Sequence, residues 1–173
     1  MNDILTADEF AGLPSDGTLM ELVRGIPRSL PFPFPGHGEI CGQVGFLLMK
    51  WLTINRIGRA TCNSGIITRR DPDSVRGTDV AFYSFARLPA DKPLPSRGYS
   101  GVAPDVVFEV RSYTDGRSAI HGKVAEYLEA GVDTVVVLDE QTQRAWMYRA
   151  DVEPIEFDHE STVKFPAPSM DGP

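Results

Sequence analysis

The sequence predicts an α/β or α+β fold built on a mixed β-sheet, and three observations predict it. Segments of helical period and short β-type runs follow one another in the order helix, hairpin, helix, several strands, helix, strands. The run Val106, Val107, Phe108 reads as a strand buried on both faces, as in the middle of a sheet. The length of 173 residues with 42% hydrophobic content supplies one sizeable core and is short for two. A single domain over residues 1–173 is expected, with no internal repeat.

Residues 1–18 form an N-terminal helix and turn in this reading. Thr6-Ala7-Asp8-Glu9 has the Thr-x-x-Glu pattern of a capping box, in which hydroxyl and carboxylate satisfy each other's free amides, and the short helix stops at Pro14. Leu19, Leu22 and Val23 before Arg24-Gly25 predict a hairpin with Arg-Gly at its corner. "PFPFPGHG" reads as an extended connector, because proline removes backbone donors. From Glu39, Ile40, Val44, Leu47, Leu48 and Trp51 recur at helical spacing and predict a long core helix.

Strands are expected at residues 59–68, 79–84 and 106–111, separated by the turn signals "RRDPDS" and "LPADKPLPSRG". "DGRSAIHGKVAEYLEAG" is an amphipathic helix with Ile120, Val124, Tyr127 and Leu128 inward and Gly131 as its stop. "TVVVLDE" and "RAWMYRA" make a last strand pair. The tail, residues 152–173, adds one strand and then frays.

Seventeen Lys and Arg against 24 Asp and Glu give a formal charge of -7, which excludes nonspecific coating of nucleic acid by global charge. A polyanion partner needs a local basic patch. Cys41 and Cys62 form no C-x-x-C, and His37, His121 and His159 are far apart in sequence, so free, mostly buried thiols and no zinc site are expected. The N-terminus has no basic and apolar signal regions, and the most apolar window carries Lys50 near its middle. A cytoplasmic protein that does not enter the membrane is expected.

Glu109 lies inside the buried run and Asp79 heads another expected strand. An ionised group buried without a partner costs several kcal/mol, on the order of 3 to 5. If the two strands are neighbours, the carboxylates converge, with Lys123 fourteen residues beyond Glu109 on the next helix. Two carboxylates and a cation are what metal-assisted phosphodiester hydrolysis needs: the oxygens hold Mg²⁺, and the lysine orients water or neutralises developing charge. The ion then answers the buried charge of Glu109. Alone, the pattern is a weak signal.

The segments "TADEFAGLP", "MELVRG", "HGEICGQVGFLL", "RGTDVAFYS", "APDVVFEVRS" and "KVAEYLEAGVDTVVVLD" together resemble, in the family's order and over nearly the whole chain, the Uma-type family of restriction-endonuclease-like proteins within the PD-(D/E)XK nuclease superfamily. The resemblance implies a restriction-endonuclease-like α/β core, a mixed sheet flanked by helices, and a Mg²⁺-dependent (or Mn²⁺-dependent) nuclease site acting on DNA. It implies Asp79 and Glu109 as metal ligands, Lys123 as the catalytic lysine moved onto the helix, Glu21 as a glutamate approaching the same site, and the Val110 carbonyl as a further metal ligand.

The chain departs from the family pattern in three places. Met20 stands where a tyrosine is common and Arg24 where an acidic residue is. Arg111-Ser112-Tyr113-Thr114 replaces the usual apolar-Ser-Pro-Ser, so Arg111 takes the strand position of the wider superfamily's lysine. Arginine stays protonated, so Arg111 is expected to clamp phosphate or to partner a carboxylate, and not to act as a base.

Asp105 is expected to be structural, His37 to cap or pack, Tyr127 to pack, and Arg69, Arg70 and Arg76 to form a solvated loop. Cutting two strands needs two sites, which makes a homodimer natural, with the long helix or the terminal strands as its interface. The alternative is a catalytically inert nuclease-fold module for binding or assembly, its site plugged by an Arg111–Glu109 pair.

Overall fold

The computed structural model describes residues 4–14, 16–113 and 116–162, so the expected fraying of "KFPAPSMDGP" lies outside the described residues. Helix α1 (Ala7–Ala11) is followed by strands β1 (Leu19–Val23) and β2 (Ile26–Leu30) and helix α2 (Pro35–Asn55). Strands β3 (Gly58–Arg69), β4 (Ser74–Ser84) and β5 (Val106–Arg111) come next. Helix α3 (Arg117–Glu129) then leads to β6 (Thr134–Asp139), β7 (Arg144–Arg149) and β8 (Val152–Phe157).

One sheet joins all eight strands in the order β2-β1-β4-β5-β6-β7-β8, with β3 on β4. The β5–β6 pair is parallel and the others are antiparallel, so the sheet is mixed as expected. A parallel pair needs a crossover, and α3 supplies it. Ile120, Val124 and Tyr127 bury one face of α3 against Val107, Val135 and Val137 in the main core.

The capping box of α1 forms as the sequence predicts, with Thr6 and Glu9 each accepting from the other's backbone N–H. The hairpin turns at Arg24 and Gly25, whose φ values of 49° and 78° are those of a primed turn that matches strand twist. Asp73 ties three parts together. Its carboxylate accepts from Ala7 N at 2.8 Å and from Arg70 at 2.7 Å, and its carbonyl accepts from Gly25 N at 2.7 Å.

Three expectations need correction. Helix α2 begins at Pro35, not Glu39, because proline at the first helical position gives up only an amide that has no partner there. The same helix is half-exposed. His37, Gly45 and Leu52 are its buried positions, whereas Leu47 and Trp51, expected inside, are 63% and 45% accessible. Strand β4 begins five residues before Asp79, so this aspartate sits in mid-strand. The acidic turn is therefore only the tip of a long β3–β4 hairpin.

That hairpin creates a gap. β3 covers one edge of β4 from Ser74 to Ser84, so β1 and β5 must share the other edge. β1 meets it at Val75 alone and β5 at Val80–Phe82, which leaves Arg76 to Asp79 without a strand partner on that side. Backbone polar groups at this depth need partners, and side chains supply them.

Candidate active site

Glu21 fills the first part of the gap. Its Oε1 accepts from Gly77 N at 3.1 Å, its Oε2 from Arg76 Nη1 at 2.9 Å, and Lys123 Nζ lies 3.1 Å from Oε1. Expected as an approaching glutamate, Glu21 is 3% exposed and at the centre of the polar cluster. Arg76 continues to Glu126 at 2.6 Å, whose other oxygen accepts from Thr68 at 2.5 Å. Arg76 is thus an internal strut and not part of a solvated loop. Arg70 pairs with Asp73, and Arg69 is exposed on the cleft wall.

Asp79 fills the other end. The β4–β5 register runs through Phe82↔Val106, Ala81↔Val107 and Val80↔Phe108 and stops there. The next residues are Asp79 and Glu109. Asp79 Oδ2 accepts from Val110 N at 2.7 Å, so a side chain takes over where the ladder ends. On the opposite edge the ladder also skips Asn63, which has φ 46°.

Glu109 is 3% exposed. Lys123 Nζ lies 3.2 Å from its Oε2, and the Tyr127 hydroxyl lies 2.8 Å from its Oε1 and 2.9 Å from Gly77 O. Burial pushes the Glu109 carboxyl up to about 7 against the pull of the Lys123 charge, and Asp79 adds to the rise. Burial works against the Lys123 ammonium too, yet Glu109 and Glu21 outweigh it and hold its pKa above the ordinary lysine value. Lys123 is consequently a fixed positive charge at neutral pH.

Arg111 does partner a carboxylate, but it is Asp139, at 2.6 Å. Glu109 takes Lys123 instead, so the site is not plugged by an Arg111–Glu109 pair. Asp105 accepts from Ser84 N at 2.6 Å and from Ser84 Oγ at 2.9 Å, holding the loop before β5.

A cleft of about 870 Å³ opens on these groups. Glu21, Asp79, Glu109, Val110 and Lys123 all line it, with His37 beside Asp79 and exposed Arg24 and Arg69 also on its wall. Its lining does not include Arg111. Among the described residues, no helix is long and apolar enough to cross a membrane.

Sequence reasoning missed two groups. Tyr127 packs as expected, but its hydroxyl also touches Glu109; its position one turn after Lys123 was the available signal. His37, expected to cap or pack, places Nε2 3.3 Å from Asp79 Oδ2, with Cys41 Sγ 3.4 Å from its Nδ1. The Asp79 hydrogen bond, aided by Cys41, raises the His37 imidazole to about 10. The i, i+4 spacing of His37 and Cys41 puts both on one helix face, a signal hidden when the helix was begun at Glu39. Cys41 is half-buried and Cys62 exposed, contrary to the expectation of mostly buried thiols.

A sequence model of the family described as "Uma2: Putative restriction endonuclease" matches residues 7–169. No curated protein matches. Among solved structures, a chain described as a "putative nuclease belonging to DUF820" from Anabaena variabilis ATCC 29413 superimposes with a TM-score of 0.75 at 22% identity, over 95% of this chain and 90% of that one. At that identity the likeness speaks for the fold.

Proposed function

Since the chain belongs to the Uma2 family of restriction-endonuclease-like proteins, we propose that it is a divalent-metal-dependent endonuclease hydrolysing DNA phosphodiester bonds at the cleft between β1, β4, β5 and α3. One observation carries the reading: the gap on β4 gathers Asp79, Glu109, Lys123 and Glu21 from four different elements on one accessible cleft. Ordinary sheet support does not require four charged groups to converge on a cavity.

Asp79, Glu109 and the Val110 carbonyl offer hard oxygen donors, a set that fits Mg²⁺ or Mn²⁺. When bound there, such an ion polarises a phosphoryl oxygen and lowers the pKa of its water. Lys123 brings a fixed positive charge to the reacting phosphate and serves as an electrostatic group, not a base. Tyr127 and Glu21 are positioning residues, the first orienting Glu109 and the second holding Lys123. Arg24 and Arg69 take flanking phosphates, the role first considered for Arg111. A second copy of the chain, docked through the exposed apolar face of α2, provides the second site that double-strand cleavage needs.

The inert-module reading is favoured by a separate observation. Among the described residues, every buried polar side-chain atom already has a partner, so the cluster is satisfied without a metal. Calorimetric titration of Mg²⁺ and Mn²⁺ into the wild type and Asp79→Ala, followed by plasmid nicking in the same buffer, separates the two. Binding lost in the variant together with metal-dependent nicking supports the nuclease. Binding without nicking keeps the metal site and puts the substrate or the dimer partner in question, and no binding at millimolar metal removes the metal site and supports the inert module.

A further inference from the structure

The first two turns of α2 carry donors of a different chemistry to the same aspartate. His37 Nε2 is 3.3 Å from Asp79 Oδ2 and 3.9 Å from Cys41 Sγ, and the ligand atoms of the three residues all lie within 4.8 Å of one another. Neither Glu21 nor Glu109 belongs to that group. Around a tetrahedral ion with bonds of about 2.0 to 2.3 Å, neighbouring ligand atoms stand roughly 3.3 to 3.8 Å apart. Two of the three separations need almost no adjustment to match.

We propose that His37, Cys41 and Asp79 form a binding site for a borderline-soft transition ion of the Zn²⁺ or Co²⁺ class, next to the oxygen-donor site and sharing Asp79 with it. The inference rests on the reading of Asp79 as a metal ligand and adds a nitrogen and a sulfur donor that Mg²⁺ does not favour. One helix supplies two of the ligands from successive turns. His37 is buried and Cys41 half-buried, so their orientation is held by packing, not by long mobile side chains. The metal takes the position between ring, thiol and carboxylate, and the protons carried by His37 and Cys41 leave to solvent. Because Asp79 belongs to both donor sets, occupation of the softer site draws a ligand from the oxygen site.

Co²⁺ added to the reduced full chain tests this by absorption. The expected result is a thiolate-to-cobalt band in the near ultraviolet together with visible ligand-field bands. The band should vanish in Cys41→Ser and persist in Cys62→Ser. His37→Asn should weaken Co²⁺ binding by about tenfold or more, whereas Mg²⁺ affinity should not fall, because the change removes a cation beside Asp79 and no oxygen donor. Asp79→Asn should weaken both ions, and Glu109→Gln should weaken Mg²⁺ alone. Circular dichroism melts establish that each variant is folded, and the wild-type band itself does not depend on any variant. A wild type without the thiolate band, or Co²⁺ affinity unchanged in folded His37→Asn, overturns the inference. Mg²⁺ affinity unchanged in Asp79→Asn overturns the oxygen-site reading instead.

Discussion

The ammonium of Lys123 lies 3.2 Å from the carboxylate of Glu109, an ion pair between α3 and the end of the central strand β5. Lys123 also reaches Glu21, so one cation serves two buried carboxylates. Removing one partner from a buried pair leaves an uncompensated charge, at a cost of about 3 to 5 kcal/mol. Lys123→Met is expected to lose about 3 kcal/mol of unfolding free energy in urea. Glu109→Gln in the same chain should recover part of the loss. A double-mutant cycle that comes out additive would show that the pair is not coupled.

Acid sensitivity follows from Asp73. The Ala7 amide holds this carboxyl below the usual carboxylate range against the opposing effect of burial, and Arg70 adds to the lowering. A depressed folded pKa adds stability that is present above the unfolded value, about 3.9, and lost as pH falls through the folded one. Asp73→Asn should therefore cost about 1 to 2 kcal/mol at pH 6. The gap to wild type should close as the pH is lowered through the acid limb. Melting curves at several pH values check this; a gap that stays constant would refute the linkage.

Helix α2 presents Phe46, Leu47, Lys50, Trp51 and Ile54 along one face at i, i+4 spacing, and Ile54 is 79% exposed. Contiguous apolar patches on this scale mark interaction surfaces. The chain is expected to sediment as a dimer, and Leu47→Asp with Ile54→Asp should return it to monomer with its melting temperature reduced only through loss of association. Monomeric wild type across the micromolar range would remove α2 from the proposed interface.

Asp79, Glu109 and Lys123 stood out as charged residues in or soon after an apolar strand pattern, a weak signal alone, and the family resemblance singled them out. What brings them together was not legible. The gap depends on β1 touching β4 at one position, Leu22↔Val75, and on β5 pairing with only three residues of the same edge. Such register is set between segments far apart in sequence, 53 residues for Leu22↔Val75 and 24 to 28 for the β4–β5 pairs. The inward face assigned to α2 held for Ile40, Val44 and Leu48, which are half-buried, and failed for Leu47 and Trp51 for a related reason. Its apolar residues run most of the way around the helix, and periodicity alone does not say which of them meet the sheet. Gly45, whose missing side chain leaves room for Cys62, marks the buried side as well as any leucine does.

The acidic net charge need not forbid DNA, because the relevant field is the one at the cleft. Arg76 and Lys123 are committed to internal carboxylates, and Arg111 to Asp139. Exposed Arg24 and Arg69 stand on the cleft wall, Arg24 at the primed turn between β1 and β2 and Arg69 at the end of β3. Each phosphate contact contributes about 0.9 to the slope of log affinity against log salt. Arg24→Ala and Arg69→Ala should each reduce that slope by about 1 for a short duplex, measured by fluorescence anisotropy at several salt concentrations. Arg111→Ala should lower the melting temperature through loss of the Asp139 pair and leave the slope unchanged. The reverse pattern, with Arg111 carrying the slope and Arg24 and Arg69 silent, would return the phosphate contact to β5 and move the path of the DNA to the opposite end of the strand edge.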